Sequence, residues 1–296
     1  MDESKAPLLY TSWASFEVTE FTYSQANDMA KCGMYSKLSR IEGWTDIHER
    51  ATMQFGNCIE AGVRNYYMNG IDPIQSFADE WARRKKWNLE YNKKSGDWSE
   101  MDGLGRNLMT QLLASDGKIT GDDMQEHSLQ GFTFNEKLTK PDWYKGTPLV
   151  YIADAYKPGE IVIDIKCLGA KLSDEDKFKG FVALDPQLRT GALVSGARRV
   201  GFMNFIRTKT NPRIQWKEVA VTEDLIVDID LWLKDQYDKL MGRKFHRNAG
   251  IRFPSSQCTF CSMLPICTNN ETLAKETLRR KEARDTETEF LSLDDD

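Results

Sequence analysis

The chain has 296 residues, 40% hydrophobic and 29% charged, with a formal net charge of -5. That is the composition of an ordinary globular protein, long enough for one large α/β domain or two modest ones, and it excludes disorder throughout. No stretch approaches the roughly 20 apolar residues needed to cross a bilayer, and the polar start Met1-Asp2-Glu3-Ser4-Lys5 leads into no secretory core, so a soluble intracellular protein without a membrane partner is expected.

The charge is concentrated at one end. Asp285, Glu287, Glu289, Asp294, Asp295 and Asp296 carry no base among them, and setting those six aside leaves the body nearly neutral. A solvated tail over 276–296 is expected, after a single folded domain over 1–275.

The N-terminal part, about 20–115, is predicted to be helical. Ser24 is a candidate cap for a helix through Leu38. From Asp46 to Met68 the residues Ile47, Ala51, Phe55, Ile59, Val63 and Tyr66 recur at helical spacing, and Asn69-Gly70 ends the run. Further helices are predicted over Pro73–Lys94 and Ser99–Ala114. Past about 126 the pattern changes to β-branched and aromatic runs. Strands are predicted at Gln130–Phe134, Pro148–Ala155 and Ile161–Lys166, the last two joined by a turn through Lys157-Pro158-Gly159-Glu160. A helix over Pro186–Ser195, strands at Val200–Arg207 and Ile214–Val221, and a helix over Asp224–Leu240 follow. This order predicts an α/β core over about 126–242 with a central mixed sheet flanked by helices.

Chemistry-bearing residues cluster on the predicted hairpin. In Ile161-Val162-Ile163-Asp164-Ile165-Lys166 the period of two places Asp164 and Lys166 on one side of a strand otherwise made for burial. Asp154 on the preceding strand returns close to Asp164. Two such carboxylates, with the carbonyl of Ile165, suit a divalent cation with oxygen ligands. The ion would polarise a phosphate oxygen and acidify a water, and Lys166 would orient that water or steady developing charge. Acid-x-lysine recurs at Glu3-Ser4-Lys5, Asp116-Gly117-Lys118 and Glu175-Asp176-Lys177, but there in polar stretches. The bland alternative at 164–166 is a salt bridge at a strand end. Glu60, one turn after Gly56 on the second helix, is a candidate third ligand; otherwise it is a solvated helical glutamate.

Cys258-x2-Cys261-x5-Cys267 gathers three thiols within 258–267. Three thiolates want a fourth, and Cys32 is the better choice, since Cys58 and Cys167 adjoin the carboxylate elements and read as buried small residues. Four cysteines suit zinc or an iron-sulfur cluster.

Glu60 after Gly56, Asp154, Asp164-Ile165-Lys166, Gln187, the early Cys32 and the terminal Cys-x2-Cys-x5-Cys together resemble the RecB-like branch of the PD-(D/E)XK nucleases. That branch includes the CRISPR-associated RecB-like exonucleases and the AddB nuclease domain. The resemblance runs from Ser24 to Cys267. It implies a restriction-endonuclease-like sheet, Mg or Mn at the catalytic site, and a 4Fe-4S cluster rather than zinc at the four cysteines. It also implies a DNA exonuclease working in the cytoplasm of a bacterial, archaeal or phage-infected cell, in recombination, repair or spacer processing, with a helicase, recombinase or integrase as possible partner. Two positions depart from the family pattern. Glu60 stands where the branch usually has histidine, and Gly191 stands where its Gln-x3-Tyr motif, begun by Gln187, has tyrosine. Pro141-Asp142 imitates the family signature but precedes the hairpin, so Asp154 is the better partner of Asp164.

Three basic groups are candidates for phosphate contact: Arg83, Arg84, Lys85, Lys86, Trp87, Tyr91, Lys93 and Lys94; Arg243, Lys244, His246, Arg247 and Arg252; and Arg198 with Arg199. Aromatics turned to the core of a solvated helix are the bland reading of the first. Two competing readings remain at this stage. One is a nucleic-acid-binding protein that keeps the fold but not catalysis; the other is an iron-sulfur electron carrier, which leaves the carboxylates and lysine unexplained.

Overall fold

A computed structural model describes residues 18–91, 96–121, 123–169, 181–247, 258 and 260–281. In chain order the principal helices are α1 (Tyr23–Lys31), α2 (Ala51–Asn69), α3 (Pro73–Arg83), α4 (Trp98–Ala114), α5 (Pro186–Ser195), α6 (Glu223–Met241) and α7 (Glu271–Thr277). The long strands are β1 (Thr133–Tyr144), β2 (Thr147–Lys157), β3 (Ile161–Leu168), β4 (Arg199–Ile206) and β5 (Arg213–Ala220). Two compact units result, His48–Lys234 and a smaller one joining Met1–Ile47 to Asp235–Asp296. Among the described residues no helix is long and apolar enough to cross a membrane.

The larger unit is built on a mixed sheet in the order β1-β2-β3-β4-β5, antiparallel throughout except that β3 and β4 run parallel. Odd-numbered residues of β3 and β4, Ile161, Ile163, Ile165, Met203 and Phe205, pack with α2, α3 and α4 through Phe55, Ile59, Phe77, Trp81 and Leu108. Even-numbered residues Val162, Val200 and Phe202 pack with Leu188 and Ala192 of α5. A sheet buried on both faces explains why β3 reads as a nearly continuous apolar run. Gly105 is required by packing, since a Cβ there would lie 1.9 Å from the Phe77 ring.

Most predicted elements form, with shifted ends. The first helix is capped by Thr22, not Ser24: Thr22 and Gln25 make a reciprocal capping box, and the helix stops at Lys31 before Cys32. Glu49–Arg50 form a short strand, and α2 starts at Ala51 and ends on Gly70 at φ 64°. The third helix ends at Arg83 instead of Lys94, giving way to a 3-10 turn over Arg84–Lys86 and a short strand over Leu89–Glu90. The strand expected at Gln130–Phe134 is the start of the longer β1, which contains Pro141-Asp142 beside a bulge between Lys140 and Tyr144. Charged residues hide this strand in the sequence because much of it is exposed.

In the smaller unit Leu278–Arg280 pairs with Trp44–Asp46. Ordered chain therefore continues past 276 to Lys281; the acidic residues from Asp285 onward lie outside the described residues. Leu38, Trp44, Met263, Ile266, Ala274 and Leu278 form this unit's core, with Cys261 and Cys267 against it.

Candidate active site

The hairpin register positions the carboxylates. Ala155 pairs with Ile163, Tyr156 with Val162 and Lys157 with Ile161, around a turn in which Gly159 takes φ 66° and Glu160 N–H donates to the Lys157 carbonyl. One step further the regular pairing stops at the level of Asp154 and Asp164. There Asp154 Oδ2 accepts the Ile165 N–H at 2.8 Å, a side chain replacing the ladder bond. Ile165 is thus held in the site by its N–H, while its side chain lies in the core.

Three side chains close a ring above β3. Gln187 Nε2 donates to Asp164 Oδ1 at 2.8 Å, Lys166 Nζ donates to Gln187 Oε1 at 3.2 Å, and Lys166 Nζ lies 2.7 Å from Asp164 Oδ2. Gln187 is delivered by the start of α5, where Asp185 caps the helix through the Leu188 N–H and Pro186 occupies the first turn. The sequence left Gln187 a choice between substrate, catalytic group and helix surface; here it bonds both Asp164 and Lys166.

Burial dominates the electrostatics. Asp164 is 1% exposed, and desolvation together with the neighbouring Asp154 pushes its carboxyl well above the usual range. Desolvation and Glu60 push Asp154 up to about 6. Glu60 is raised by burial and by Asp164, with Arg64 one turn along α2 and Lys166 opposing. Lys166 is raised because Asp164 and Asp154 outweigh its own desolvation. Three mutually repelling carboxyl groups around one ammonium make a site that gains from another cation. Glu60 is therefore a member of this cluster and not a solvated glutamate.

Donor chemistry fits a hard divalent ion: oxygen donors, with Asp164 Oδ2 buried against the Lys166 ammonium. Among the described residues, however, no three His, Cys, Asp or Glu side chains are drawn tightly enough together to hold a metal ion. The Lys166 contact to Asp164 is the ion pair that the bland reading expected, set within a larger cluster.

The departure at Gly191 has a physical form. A Cβ on Gly191 would lie 2.8 Å from the Tyr151 ring and 3.1 Å from Val162 Cγ1, so the ring of Tyr151 takes the space beside α5 and excludes any side chain at 191. Gly56 does face β3, but a Cβ there would meet only Cys167 Cβ at 3.7 Å, an ordinary contact.

In the smaller unit Cys32, Cys258, Cys261 and Cys267 are outside any disulfide. Burial raises Cys261 and Cys267; Cys267, Cys32 and Cys258 raise Cys261 further, and Cys32 and Cys258 do the same to Cys267, which makes the four electrostatic neighbours. Gly33 lets the backbone beside Cys32 approach residues 244–246, since a Cβ there would stand 2.7 Å from the Lys244 carbonyl oxygen; Met34 N–H bonds the His246 carbonyl. Arg247 hydrogen-bonds Cys267. Cys58 is buried and Cys167 half-buried, and desolvation pushes both thiols up to about 12.

Of the basic groups, Arg84 is tied to Glu80 and Gln54 and Arg199 to Glu160 and Glu218. Lys85 and Lys86 are exposed, and Trp87 and Tyr91 are exposed as well rather than turned to the core. Lys93, Lys94 and Arg252 lie outside the described residues. Sequence reasoning missed Tyr151 and, on β4, the buried Asn204; a lone polar residue inside Gly201-Phe202-Met203-Asn204-Phe205-Ile206 was the available signal.

No family model and no curated protein matches this chain. Among solved structures it is similar to a candidate exonuclease from Eubacterium rectale, at 14% identity and TM-score 0.45, covering 80% of this chain and 91% of that one. It is also similar to the alkaline exonuclease LHK-Exo from Laribacter hongkongensis, at 13% identity and TM-score 0.30, covering 64% of this chain and 92% of that one.

Proposed function

We propose that this protein is a Mg- or Mn-dependent deoxyribonuclease, an exonuclease acting on single-stranded DNA or DNA ends in recombination, repair or spacer processing. The observation that carries this reading is the ring of Asp164, Gln187 and Lys166 beside Asp154 and Glu60, a buried acid cluster with one ammonium. Asp154, Asp164, Glu60 and the Ile165 carbonyl would hold the ion, which supplies Lewis-acid polarisation of a phosphate oxygen and an acidified water. Gln187 orients Asp164 and Lys166 together. Lys166 donates to the attacking water or to charge developing on the phosphate. Asp154, bonded to the Ile165 N–H, fixes the height of the acid pair on the strand. The exposed Trp87 and Tyr91 beside Lys85 and Lys86 suit stacking and phosphate contact on a single strand.

Cys32, Cys258, Cys261 and Cys267 would hold a 4Fe-4S cluster, with zinc as the alternative, and the electrostatic influence among the four thiols supports that assignment. A helicase, recombinase or integrase would be the partner, and the cytoplasm the compartment. The test is cutting of end-labelled linear and of circular DNA with Mg or Mn by wild type and Lys166→Ala. No product from wild type, or equal product from both, rejects the reading.

A second reading, a catalytically inactive DNA-binding protein of the same fold, is favoured by one observation: Arg64 lies one helical turn from Glu60 and opposes its proton uptake, so a cation already serves that carboxylate. DNA affinity without any metal-dependent product would select it.

A further inference from the structure

One fully buried polar side chain stands outside the machinery described above. Asn204 on β4 is 0% exposed, and neither its amide oxygen nor its amide nitrogen has a hydrogen-bond partner. An amide buried without a partner loses its hydration with nothing in return, a cost that an apolar residue would not carry. Its neighbours Met203, Phe205 and Ile206 are apolar and buried, so the strand is otherwise built for the core.

The register says what the amide is next to. Asn204 is opposite Lys166, and Phe202 opposite Asp164, in the parallel pair β3 and β4; opposed residues of neighbouring strands share a face. That face is the one covered by α5, where Gln187 sits. Opposed strands are about 4.8 Å apart, within reach of an ammonium on a four-carbon stem turning about its own χ angles.

Lys166 has a reason to turn. Its ammonium lies against Asp164 Oδ2, one of the oxygens that a divalent cation would take, and two positive charges do not share one carboxylate oxygen without loss. We propose that Asn204 is a positioning residue: its amide oxygen receives the Lys166 ammonium when Asp164 gives up Oδ2 to a divalent cation. Gln187 Oε1, 3.2 Å from Nζ, is the acceptor common to both positions, and Asn204 supplies the second. Lys166 thereby stays beside the reacting phosphate instead of competing for the ion's ligand. This inference rests on the nuclease reading and adds to it the residue that lets lysine and metal coexist.

The test uses the isosteric pair Asn204→Val, which removes the acceptor, and Asn204→Thr, which returns one. Three quantities are measured: the thermal midpoint of metal-free protein, Mn affinity by calorimetry and by the spin-resonance signal of free Mn, and cutting at saturating Mn. Asn204→Val is expected to melt no lower than wild type, to bind Mn at least fivefold more weakly and to cut at least tenfold more slowly; Asn204→Thr recovers part of both. A purely structural asparagine gives the opposite split, a lower midpoint with unchanged Mn affinity, and overturns the proposal. If Asn204→Val does not fold, Asn204→Ala is read the same way. Wild type that neither binds Mn nor cuts defeats the nuclease reading itself, whereas wild type that does both, matched by Asn204→Val, defeats only the role of Asn204.

Discussion

Asp154 Oδ2 accepts the N–H of Ile165, the residue between Asp164 and Lys166, at 2.8 Å. That bond ends the regular β2–β3 pairing and turns a hairpin into a site, because the strands stay joined through a carboxylate that also faces Asp164. Asp154→Ala should therefore leave a buried N–H without a partner, a loss of about 1–3 kcal/mol, whereas Asp154→Asn keeps an acceptor and loses only the charge. Denaturant unfolding of the two variants should separate them, with the alanine variant less stable.

Lys166→Ala should reduce cutting about 100-fold or more, the scale of losing one group that meets developing charge. Lys166 is partly exposed and its loss removes no core packing, so far-UV circular dichroism should not change. Equal rates for variant and wild type would remove Lys166 from the chemistry.

Metal-free protein should lose stability as the pH rises. Asp154 is pushed up to about 6, and Asp164 is also raised, so folded chain keeps protons that unfolded chain releases near pH 4. Stability fully present below that unfolded value is lost as the pH passes through about 6, by on the order of 2–3 kcal/mol. Thermal midpoints in EDTA should fall across this window and flatten in Asp154→Asn; Mg or Mn at pH 8 should restore them in wild type.

Gly191→Ala and Gly56→Ala should behave oppositely. The Cβ at 191 meets the Tyr151 ring at 2.8 Å, an overpacking that typically costs about 1–3 kcal/mol. At Gly56 the contact is ordinary and the helix gains up to about 1 kcal/mol from alanine. Chemical denaturation of both variants checks the sign.

Alkylation at pH 8 should spare Cys58 and Cys167 in folded protein, since burial pushes both thiols up to about 12 and the thiolate is the reacting form. Peptide mapping after iodoacetamide would show it. Iron analysis and a visible spectrum of anaerobically purified protein, lost on Cys261→Ser, would assign the other four to iron-sulfur; zinc without colour would assign them otherwise.

Local pattern carried a good deal of this. Period-two spacing in Ile161–Lys166 put Asp164 and Lys166 on one face, the helix expected from Pro186 is the one that brings Gln187, and Asn69-Gly70 stopped α2 where the backbone turns left-handed. Most of β1 beyond Phe134 escaped notice because an exposed strand with Lys137, Lys140 and Pro141 loses the apolar alternation that reveals strands. Arg84–Lys86 left the helical path because those charges favour no apolar stripe on either side.

By itself the sequence determined which elements form and which residue types are available, since capping, turn chemistry and hydrophobic period act over a few neighbouring residues. Only tertiary structure decided that Asp154 would spend an oxygen on the Ile165 N–H, that Gln187 would bridge Asp164 and Lys166, that Tyr151 would exclude a side chain at Gly191, and that Asn204 would be buried level with Lys166. Those relations join residues far apart in the chain, and their energies come from desolvation and contact across the sheet, which no local pattern records.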